Sequence, residues 1–244
     1  MVSPLMLRKD IPRDDGTAYW MGAHAAKVKK LPNIIEYSQQ HFSPVDHGYW
    51  PSAPSVGVVV PEDWRVDGCS EMRFTSPIGV LRTGMHARDV YLDEQNAFER
   101  VVGQMTVPSG GRWWTTGHDD SVTHRTAVWF RRRRGLGGRA FRRYIYDSLA
   151  PAVVAAGGMD VRAYVFTPYT KLGNVSPGVN HDYPVQHRYH AVLIFGANSR
   201  ADVDRMLGSS ELAPVIAVQG DYITAAHAFT VERTVPVVRP NRQR

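Results

Sequence analysis

Hydrophobic and polar positions predict the same order of elements in both halves of the chain. The first half opens with a strand, a helix and a strand at residues 4–9, 17–30 and 34–42. The second half opens in the same way, with a strand, a helix and a strand at residues 126–131, 138–155 and 161–166. This repeat constrains the fold more strongly than any short motif in the sequence.

Each half then continues with a long loop, a strand, helical residues and a last strand. In the first half the loop is predicted at residues 43–67 and the strand at 69–75. A helical stretch follows, with 93–102 its clearest part, and the last strand is predicted at 103–107. In the second half they are predicted at residues 168–186, 187–195, 200–207 with 210–218, and 225–231. Residues 108–123, rich in Gly, Ser and Thr, form the predicted junction. Both halves therefore follow the β-α-β-β-α-β order of the ferredoxin-like fold.

A four-stranded sheet of this kind is covered by helices on one face and needs a partner for the other. A second copy of the same unit supplies that partner, because two facing sheets make a barrel lined by alternate strand residues. We therefore predict an α+β fold in which two tandem ferredoxin-like units form a pseudo-symmetric dimeric α+β barrel. Repeat 1 is predicted over residues 1–115, the junction over 116–125 and repeat 2 over 126–236.

Composition narrows the class of protein. The chain has 244 residues and a single cysteine, Cys69. One cysteine excludes an intrachain disulfide and fits a reducing cytoplasm, and Arg8, Lys9 and Asp10 interrupt any signal-peptide core. No apolar run approaches the roughly 20 residues that span a bilayer. We therefore expect a cytoplasmic protein that does not contact a membrane.

The net charge of +6 does not predict nucleic-acid binding. The dense basic run, Arg131 to Arg134, continues in Arg139, Arg142 and Arg143. No helix-turn-helix, aromatic RNA-binding pattern or zinc-ligand spacing accompanies it, so a solvated surface is favoured over a phosphate-binding one.

Several short motifs occur in the first half in a fixed order. They are Tyr19-Trp20, His24-Ala25, Leu31-Pro32-Asn33-Ile34, Glu36-Tyr37, His41, Asp67-Gly68 and Asp93-Glu94. In this order they resemble the EthD family of the dimeric α+β-barrel superfamily. The second half resembles the same unit more loosely, through Phe141, Tyr144 and Ala150-Pro151, with Leu149 where the first half has His24. The resemblance implies a relationship to enzymes that process small aromatic and polyketide compounds, among them cofactor-free monooxygenases. Other members of the wider superfamily are haem proteins. A shared fold is weak evidence for any one of these chemistries.

His24 is the first candidate catalytic residue. Trp20, His24 and Val28 share one helix face through their i,i+4 spacing, so His24 should be at least partly buried against the sheet. A core histidine bonded to the backbone is the alternative interpretation. The EthD resemblance at this position raises the weight of a catalytic role.

Tyr37 and His41 are the other candidate catalytic residues. Tyr37, Gln39 and His41 alternate on one face of the second strand, and neither face of that strand is purely apolar. This pattern favours a polar cavity lined by Tyr37 as hydrogen-bond donor and His41 as general base. A histidine that merely ends the strand beside Pro44 is an equal alternative.

Two loops gather titratable and aromatic residues and predict substrate contacts. The candidates are His47, Tyr49 and Trp50 in the first loop, His181 and Tyr183 in the second, His187, Tyr189 and His227 on later strands, and Trp20 and Gln39 beside the catalytic group. His187 and Tyr189 are predicted to share one strand face with Ala191 and Leu193. Ordinary surface loops are the alternative, but the recurrence of the composition favours lids over a barrel mouth.

No metal and no organic cofactor are predicted. The cluster His118-Asp119-Asp120 with His124 lacks recognised metal-ligand spacing and is better explained as a solvated linker. Gly135-Leu136-Gly137-Gly138 departs from the dinucleotide fingerprint. Haem ligation by one of the histidines stays open, although no attachment motif is present.

Together these patterns predict an enzyme that acts by general acid–base chemistry on a small hydrophobic aromatic or polyketide-like compound, as a lyase (dehydratase), isomerase or cyclase. His24 or His41 would move the proton, and Tyr37 would stabilise a developing oxyanion. Two alternatives stay open: a cofactor-free or haem-dependent oxygenase, and a barrel that binds a small molecule or haem without turnover. A homodimer also stays open, since the outer surfaces can associate. Because Leu149 replaces the histidine in the second half, the first half is the preferred location of the site.

Overall fold

The computed structural model describes residues 1–115, 121–169 and 176–239. Within these ranges, nine strands form one antiparallel sheet. The strands are β1 (Val2–Leu7), β2 (Ile34–His47), β3 (Gly68–Phe74), β4 (Phe98–Val101), β5 (Thr106–Trp113), β6 (His124–Arg132), β7 (Met159–Phe166), β8 (Ala191–Ala197) and β9 (Ile223–Val238). The fold is therefore of the mixed α+β class, as predicted.

Helices cover the sheet in both halves. They are α1 (Arg13–Tyr19), α2 (Ala25–Val28), α3 (Pro77–His86), α4 (Arg88–Glu94), α5 (Gly138–Arg143), α6 (Ala150–Ala155), α7 (Arg200–Leu207) and α8 (Ala213–Ala217). A π-helical turn at Trp20–His24 joins α1 to α2, and another at Tyr144–Leu149 joins α5 to α6. Among the described residues, no helix is both long and apolar enough to cross a membrane.

Local sequence explains where several helices begin. Asp14 and Asp15 lie in the first turn of α1, where the positive end of the helix dipole favours carboxylates. Ser76 caps α3, because its Oγ accepts a hydrogen bond from the backbone N–H of Gly79 at 3.0 Å. Ser199 caps α7 in the same way, through the N–H of Asp202 at 3.1 Å.

The sheet closes on itself. Its strand order is β4-β1-β3-β2-β9-β6-β8-β7-β5, so the edge strands β4 and β5 are consecutive in the chain with only residues 102–105 between them. In a flat sheet with strands about 4.8 Å apart, these edges would lie about 38 Å from each other. The connection can span at most about 18 Å. The sheet must therefore curl until its two edges approach each other.

A contact across the interior supports this closure. Arg162 on β7 donates hydrogen bonds from its guanidinium to both carboxylate oxygens of Glu71 on β3, at 2.6 and 2.9 Å. Four strands separate β3 from β7 in the sheet order, which would place the two residues about 24 Å apart in a flat sheet. Both side chains are buried, so this pair lies inside the barrel.

Two long loops each pack on the opposite half of the molecule. Trp50 and Val56 follow β2, yet they are buried in the apolar core beneath the helices of the second half. Val179 precedes β8, yet it packs with Leu5 and Phe98 of the first half. Each half of the molecule therefore contains a segment that belongs to the other half in the sequence.

The end of the first half differs from the prediction. Periodicity predicts a helix over 93–102 and a strand over 103–107, whereas two helices, α3 and α4, precede a strand that begins at Phe98. The residues that α3 exposes to solvent include Ile78, Leu81 and Met85. Because α3 exposes large apolar side chains and buries Gly79 and Thr83, it lacks the usual pattern of an apolar buried face and a polar exposed face.

Three strands depart from the predicted bounds because of tertiary pairing. β2 extends to His47 and β9 to Val238, since the two strands pair with each other and join the halves. β5 forms within residues predicted as junction because it pairs with β7. Local sequence carries no signal for either pairing.

Candidate functional site

A cavity of about 190 Å³ lies between the sheet and the helices of the first half. One wall consists of helix-facing residues of β1 and β3, and the opposite wall comes from α2, α3 and α4. Most lining side chains are apolar. The polar ones are Ser3, His24, Ser70, Thr83, Tyr91, Glu94, Tyr169 and His181. An apolar cavity with a few convergent polar groups is typical of a small-molecule site.

His24 reaches this cavity from the π-helical turn between α1 and α2. Trp20, His24 and Val28 are all buried, which confirms the predicted helix face. The Nδ1 atom of His24 lies 2.9 Å from Oδ2 of Asp93 on α4. When Nδ1 carries the proton and donates it to this carboxylate, the lone pair of Nε2 is left for a ligand. Single π-helical turns of this kind occur often at functional sites.

Asp93 keeps its negative charge although its side chain is fully buried. Burial alone would raise the pKa of Asp93, but hydrogen bonds from Lys27, Tyr19 and His24 outweigh it and lower the pKa. Burial lowers the pKa of His24, and Asp93 opposes that effect only in part. At neutral pH the pair therefore consists of an ionised carboxylate and a neutral imidazole, which is the arrangement of a general base.

The corresponding turn of the second half has a different environment. It ends at Leu149, which is fully buried in an apolar core with Phe141 and Val153. The histidine and the cavity thus belong to the same half of the molecule. That the functional site lies in the first half stays a prediction.

Four other predicted residues of the first half, Trp20, Tyr37, Gln39 and His41, lie beside the cavity. The centroids of the Trp20 and His41 rings lie 4.0 Å apart. Gln39 donates to the Tyr37 hydroxyl at 3.0 Å, and its Oε1 lies 3.2 Å from Nε2 of His41. The Tyr37 hydroxyl is 3.5 Å from Oγ of Ser70, which lines the cavity. A hydrogen-bonded chain therefore runs from His41 to the cavity wall.

His41 is neutral in this chain. Burial lowers its pKa to about 4, assisted by the positive charges of Arg233 and Arg13. Burial raises the pKa of Tyr37. Alternation correctly groups Tyr37, Gln39 and His41 on one face of β2, and that face packs beneath Trp20. Gln40 points to the other side, where it bonds Glu71 in the barrel interior.

Residues predicted from the second half meet inside the barrel. The Tyr189 hydroxyl and Nδ1 of His227 share a hydrogen bond of 2.7 Å, and the Tyr183 hydroxyl accepts from the backbone N–H of Tyr189 at 3.1 Å. His187 stacks on Trp64 with ring centroids 4.6 Å apart. This aromatic group lies on the opposite face of the sheet from the cavity.

The predicted alternation around His187 is wrong. β8 begins at Ala191 rather than at His187, so the preceding residues do not follow the period of the strand. Ala191 and Leu193 face the helices, whereas Tyr189 packs inside the barrel.

The two predicted loops meet where the Trp64 ring lies 5.3 Å from the Tyr183 ring, but their other candidate residues lie apart. The Tyr49 hydroxyl bonds Thr126 at 3.0 Å, and Trp50 donates to Gln219 at 2.9 Å, both at the helix side of the second half. The His47 ring lies 6.0 Å from the Phe229 ring at the barrel. His181, in contrast, lines the cavity of the first half.

Asp93, Glu94 and Ser70 are site residues that pattern analysis did not select. Asp93 and Glu94 are buried although they are adjacent acids on one helix. Asp93-Glu94 was noted only as part of the EthD resemblance. Two consecutive acids beside apolar helical positions could have identified them as site residues, because buried carboxylates need partners and often serve function.

Metal binding finds no support within the described part of the chain, where no group of three histidine, cysteine or acidic side chains could hold an ion. His118, Asp119 and Asp120 of the predicted linker cluster lie outside the described residues.

Comparison with protein-family models and with curated proteins finds no match for the sequence. Solved structures do match. A candidate monooxygenase from Lactobacillus acidophilus NCFM is 9% identical, with a TM-score of 0.54 over 97% of this chain and 94% of that one. A candidate monooxygenase from Fusobacterium nucleatum is 8% identical, with a TM-score of 0.56 over 96% and 92%. The chain therefore shares the fold of these two structures, a mixed α+β fold with a large antiparallel sheet.

The shared fold includes the large antiparallel sheet and the helices that cover it. A mutant chlorite dismutase from Candidatus Nitrospira defluvii also matches, at 9% identity with a TM-score of 0.48 over 95% of this chain and 90% of that one. The fold rests on the two structures with TM-scores of 0.54 and 0.56, and activity must be argued from the site.

Proposed function

We propose that this protein is an enzyme that binds a small hydrophobic compound in the cavity of the first half and transforms it by general acid–base chemistry without an organic cofactor. The reaction would be that of a lyase (dehydratase), an isomerase or a cyclase. The observation that carries the proposal is His24, a neutral imidazole held by Asp93 at 2.9 Å and lining an apolar cavity.

His24 has the properties that proton abstraction requires. Its Nδ1–H bond to Asp93 orients the ring, and the ionised carboxylate stabilises the imidazolium that forms when Nε2 takes a proton. The apolar walls exclude water and strengthen these charge interactions. A positioned general base of this kind contributes roughly 10²–10⁴-fold to a rate.

The size of the cavity limits the substrate. An apolar cavity of about 150 Å³ holds benzene, so about 190 Å³ suits one aromatic ring with a small substituent. This favours a single-ring phenolic or keto compound over a fused polyketide. Pockets for drug-sized ligands measure about 300–1000 Å³. A porphyrin is at least of that class, so the cavity volume argues against haem here.

Tyr37 and His41 act in this proposal through Ser70. Their hydrogen-bonded chain ends at the Ser70 hydroxyl, and neither side chain lines the cavity. They are thus positioning residues, with Trp20 and Gln39, and His24 is the residue that moves the proton.

We also propose that the barrel arose from two EthD-like units over residues 1–115 and 126–236. The first four strands are ordered β4-β1-β3-β2 and the next four β9-β6-β8-β7, which is the same spatial order counted within each half. The π-helical turns occupy the same place in each half and end at His24 and Leu149. The shared strand order and the shared π-helical turn support duplication of one unit.

A cofactor-free oxygenase is the second candidate, favoured by the two structural neighbours described as candidate monooxygenases. Such a reaction also begins with proton abstraction, so the same base would serve it. Oxygen consumption during turnover separates the two candidates, and a barrel that binds without turnover would show neither activity.

Deuterium exchange tests the proposal directly. Acetophenone has one ring and methyl protons that exchange slowly in neutral water. We expect the protein to accelerate their exchange with D₂O, measured by NMR, and His24→Gln to lower the rate by roughly 10²-fold or more. His86→Gln is the matched control, since His86 is an exposed histidine on α3 that does not line this cavity. Equal rates in the His24→Gln and wild-type proteins would refute the role of His24.

A further inference from the structure

Glu94 is a second titratable group at the cavity, adjacent in sequence to Asp93. Its side chain is buried and lines the cavity, and its carboxyl group accepts a hydrogen bond from the Ser176 hydroxyl. Asp93 points instead towards α1 and α2, where it binds His24 and Lys27. Consecutive residues of α4 thus place one carboxyl group behind the base and the other in the cavity.

His181 reaches Glu94 from the second half of the chain. Its loop is anchored on the edge of the sheet, because Asn180 N–H donates to Glu99 at 2.9 Å and Val101 N–H donates to Asn180 at 3.1 Å. Nδ1 of His181 donates to the carbonyl oxygen of Val101 at 2.8 Å. This bond fixes the tautomer and leaves the lone pair on Nε2, which lies 3.6 Å from Oε2 of Glu94.

This geometry favours a proton on Glu94, although the 3.6 Å separation is too long for a hydrogen bond. A neutral His181 with Nδ1–H offers only a lone pair at Nε2, and an ionised Glu94 offers only acceptor oxygens. A lone pair and an ionised carboxylate repel each other in a buried site, and protonation of Glu94 removes this repulsion. Burial raises the pKa of Glu94 to about 7, with the charge of Asp93 adding to the effect. The carboxyl group is thus largely protonated just below neutral pH.

We infer that Glu94 is the general acid that acts opposite His24, and that His181, supplied by the second half, positions its proton. This rests on the proposed function of the cavity. Neighbouring carboxyl groups with opposite pKa shifts are how enzymes assign acid and base roles within one site. Here Asp93 stays ionised and sustains the base, while Glu94 holds a transferable proton.

The proton balance of the reaction is complete. In an enolisation, the bond between the α-carbon and its hydrogen breaks and the proton goes to Nε2 of His24, while the carbonyl oxygen takes the proton of Glu94. In the dehydration of a β-hydroxy ketone, the same bond breaks, the carbon–oxygen bond breaks, and the hydroxyl group leaves as water with the Glu94 proton. Exchange with solvent then restores neutral His24 and protonated Glu94, and no oxidant or reductant is consumed.

Other titratable groups near Glu94 must be considered in any pH dependence. Those on the cavity or in contact with its walls are the amino group of Met1, His24, Lys27, Tyr37, Tyr91, Asp93, Tyr169 and His181. Burial lowers the pKa of His24 and of His181, so both are neutral near pH 7. Burial raises the pKa of Tyr37 and of Tyr91, which therefore stay protonated there.

The pH profile of acetophenone exchange tests the inference. For the wild type, the rate should fall as the pH rises through about 7, where Glu94 loses its proton. Glu94→Gln should lower kcat by about 10²-fold, remove this alkaline decline and leave KM nearly unchanged, since glutamine keeps the shape of the side chain. Glu211→Gln, on the exposed surface of the second half, is the matched control.

Two outcomes separate this inference from the proposed function. If His24→Gln abolishes exchange while Glu94→Gln changes neither kcat nor the pH profile, the inference is overturned and the base assignment stands. If neither variant affects exchange, the proposed function itself fails. A further measurement needs no active variant: the side-chain carboxyl ¹³C signal of Glu94 in the wild type should titrate near pH 7. Titration near 4.5 would also overturn the inference.

Discussion

Arg162 and Glu71 join opposite sides of the closed sheet through two hydrogen bonds of 2.6 and 2.9 Å. Removal of one member of a buried ion pair leaves an uncompensated charge and costs about 3–5 kcal/mol. We expect Arg162→Met to lower the free energy of unfolding by this amount in urea titrations. The double variant Arg162→Met with Glu71→Leu should recover part of the loss. If the double variant is as unstable as the sum of the single variants, the two residues are not energetically coupled.

Glu94 should make the protein less stable as the pH rises. Its pKa is raised from 4.5 to about 7 in the folded state, so its contribution is full below pH 4.5 and is lost as the pH rises through 7. Between pH 5 and pH 8 the wild type should lose about 2 to 3 kcal/mol relative to Glu94→Gln. Unfolding titrations of both proteins at the two pH values measure this difference. Parallel pH curves for the two proteins would argue against a protonated Glu94.

His227 should make the protein less stable as the pH falls. Burial lowers its pKa from 6.5 to about 3 in the folded state, with Arg131 nearby adding to the effect. Its contribution is therefore present above pH 6.5 and is lost as the pH falls towards 3. Between pH 7 and pH 5 the wild type should lose about 2 kcal/mol relative to His227→Asn, which can still accept the hydrogen bond of Tyr189. An equal acid sensitivity of both proteins would contradict the burial of a neutral His227.

Gly68 allows the first helix to approach the sheet. A Cβ atom at this position would lie 2.4 Å from the carbonyl oxygen of Gln40 and 2.8 Å from the ring of Trp20. We expect Gly68→Ala to cost at least about 1–3 kcal/mol, the usual range for overpacking. Gly22→Ala on the same helix is the matched control, because no atom lies within 4 Å of its added Cβ. It should stabilise the protein by about 0.5–1 kcal/mol. In thermal unfolding, Gly68→Ala should lower the melting temperature and Gly22→Ala should raise it.

Elements defined by their own local pattern could be predicted from the sequence. The helical span predicted at 138–155 agrees with α5, its π-helical turn and α6, and the strand predicted at 126–131 lies within β6. The face that carries Trp20, His24 and Val28 was also predictable, since a helix has one apolar stripe to bury. α3 lies in the stretch predicted to be helical after residue 75, but the clearest part was predicted too late, at 93–102. Most of β5 was not predicted, because its partner β7 is distant in the chain.

The candidate site was only partly predictable for the same reason. His24 lines the cavity, as a residue on a buried helix face can do. Tyr37 and His41 share a face as alternation requires, but alternation does not say whether that face meets a cavity, a helix or the barrel interior. Glu94 carries no periodic signal for catalysis, and its high pKa arises from burial among residues that are distant in sequence.

The sequence by itself determined the α+β class, the repeated order of elements and the burial of His24, because each follows from the spacing of apolar residues along a single element. The tertiary structure alone decided that Asp93 holds His24, that the loop of the second half brings His181 to the first, and that Trp50 packs on the opposite half. These contacts join residues 69 to more than 150 positions apart. Their formation depends on the closure of the whole sheet, which no local pattern encodes.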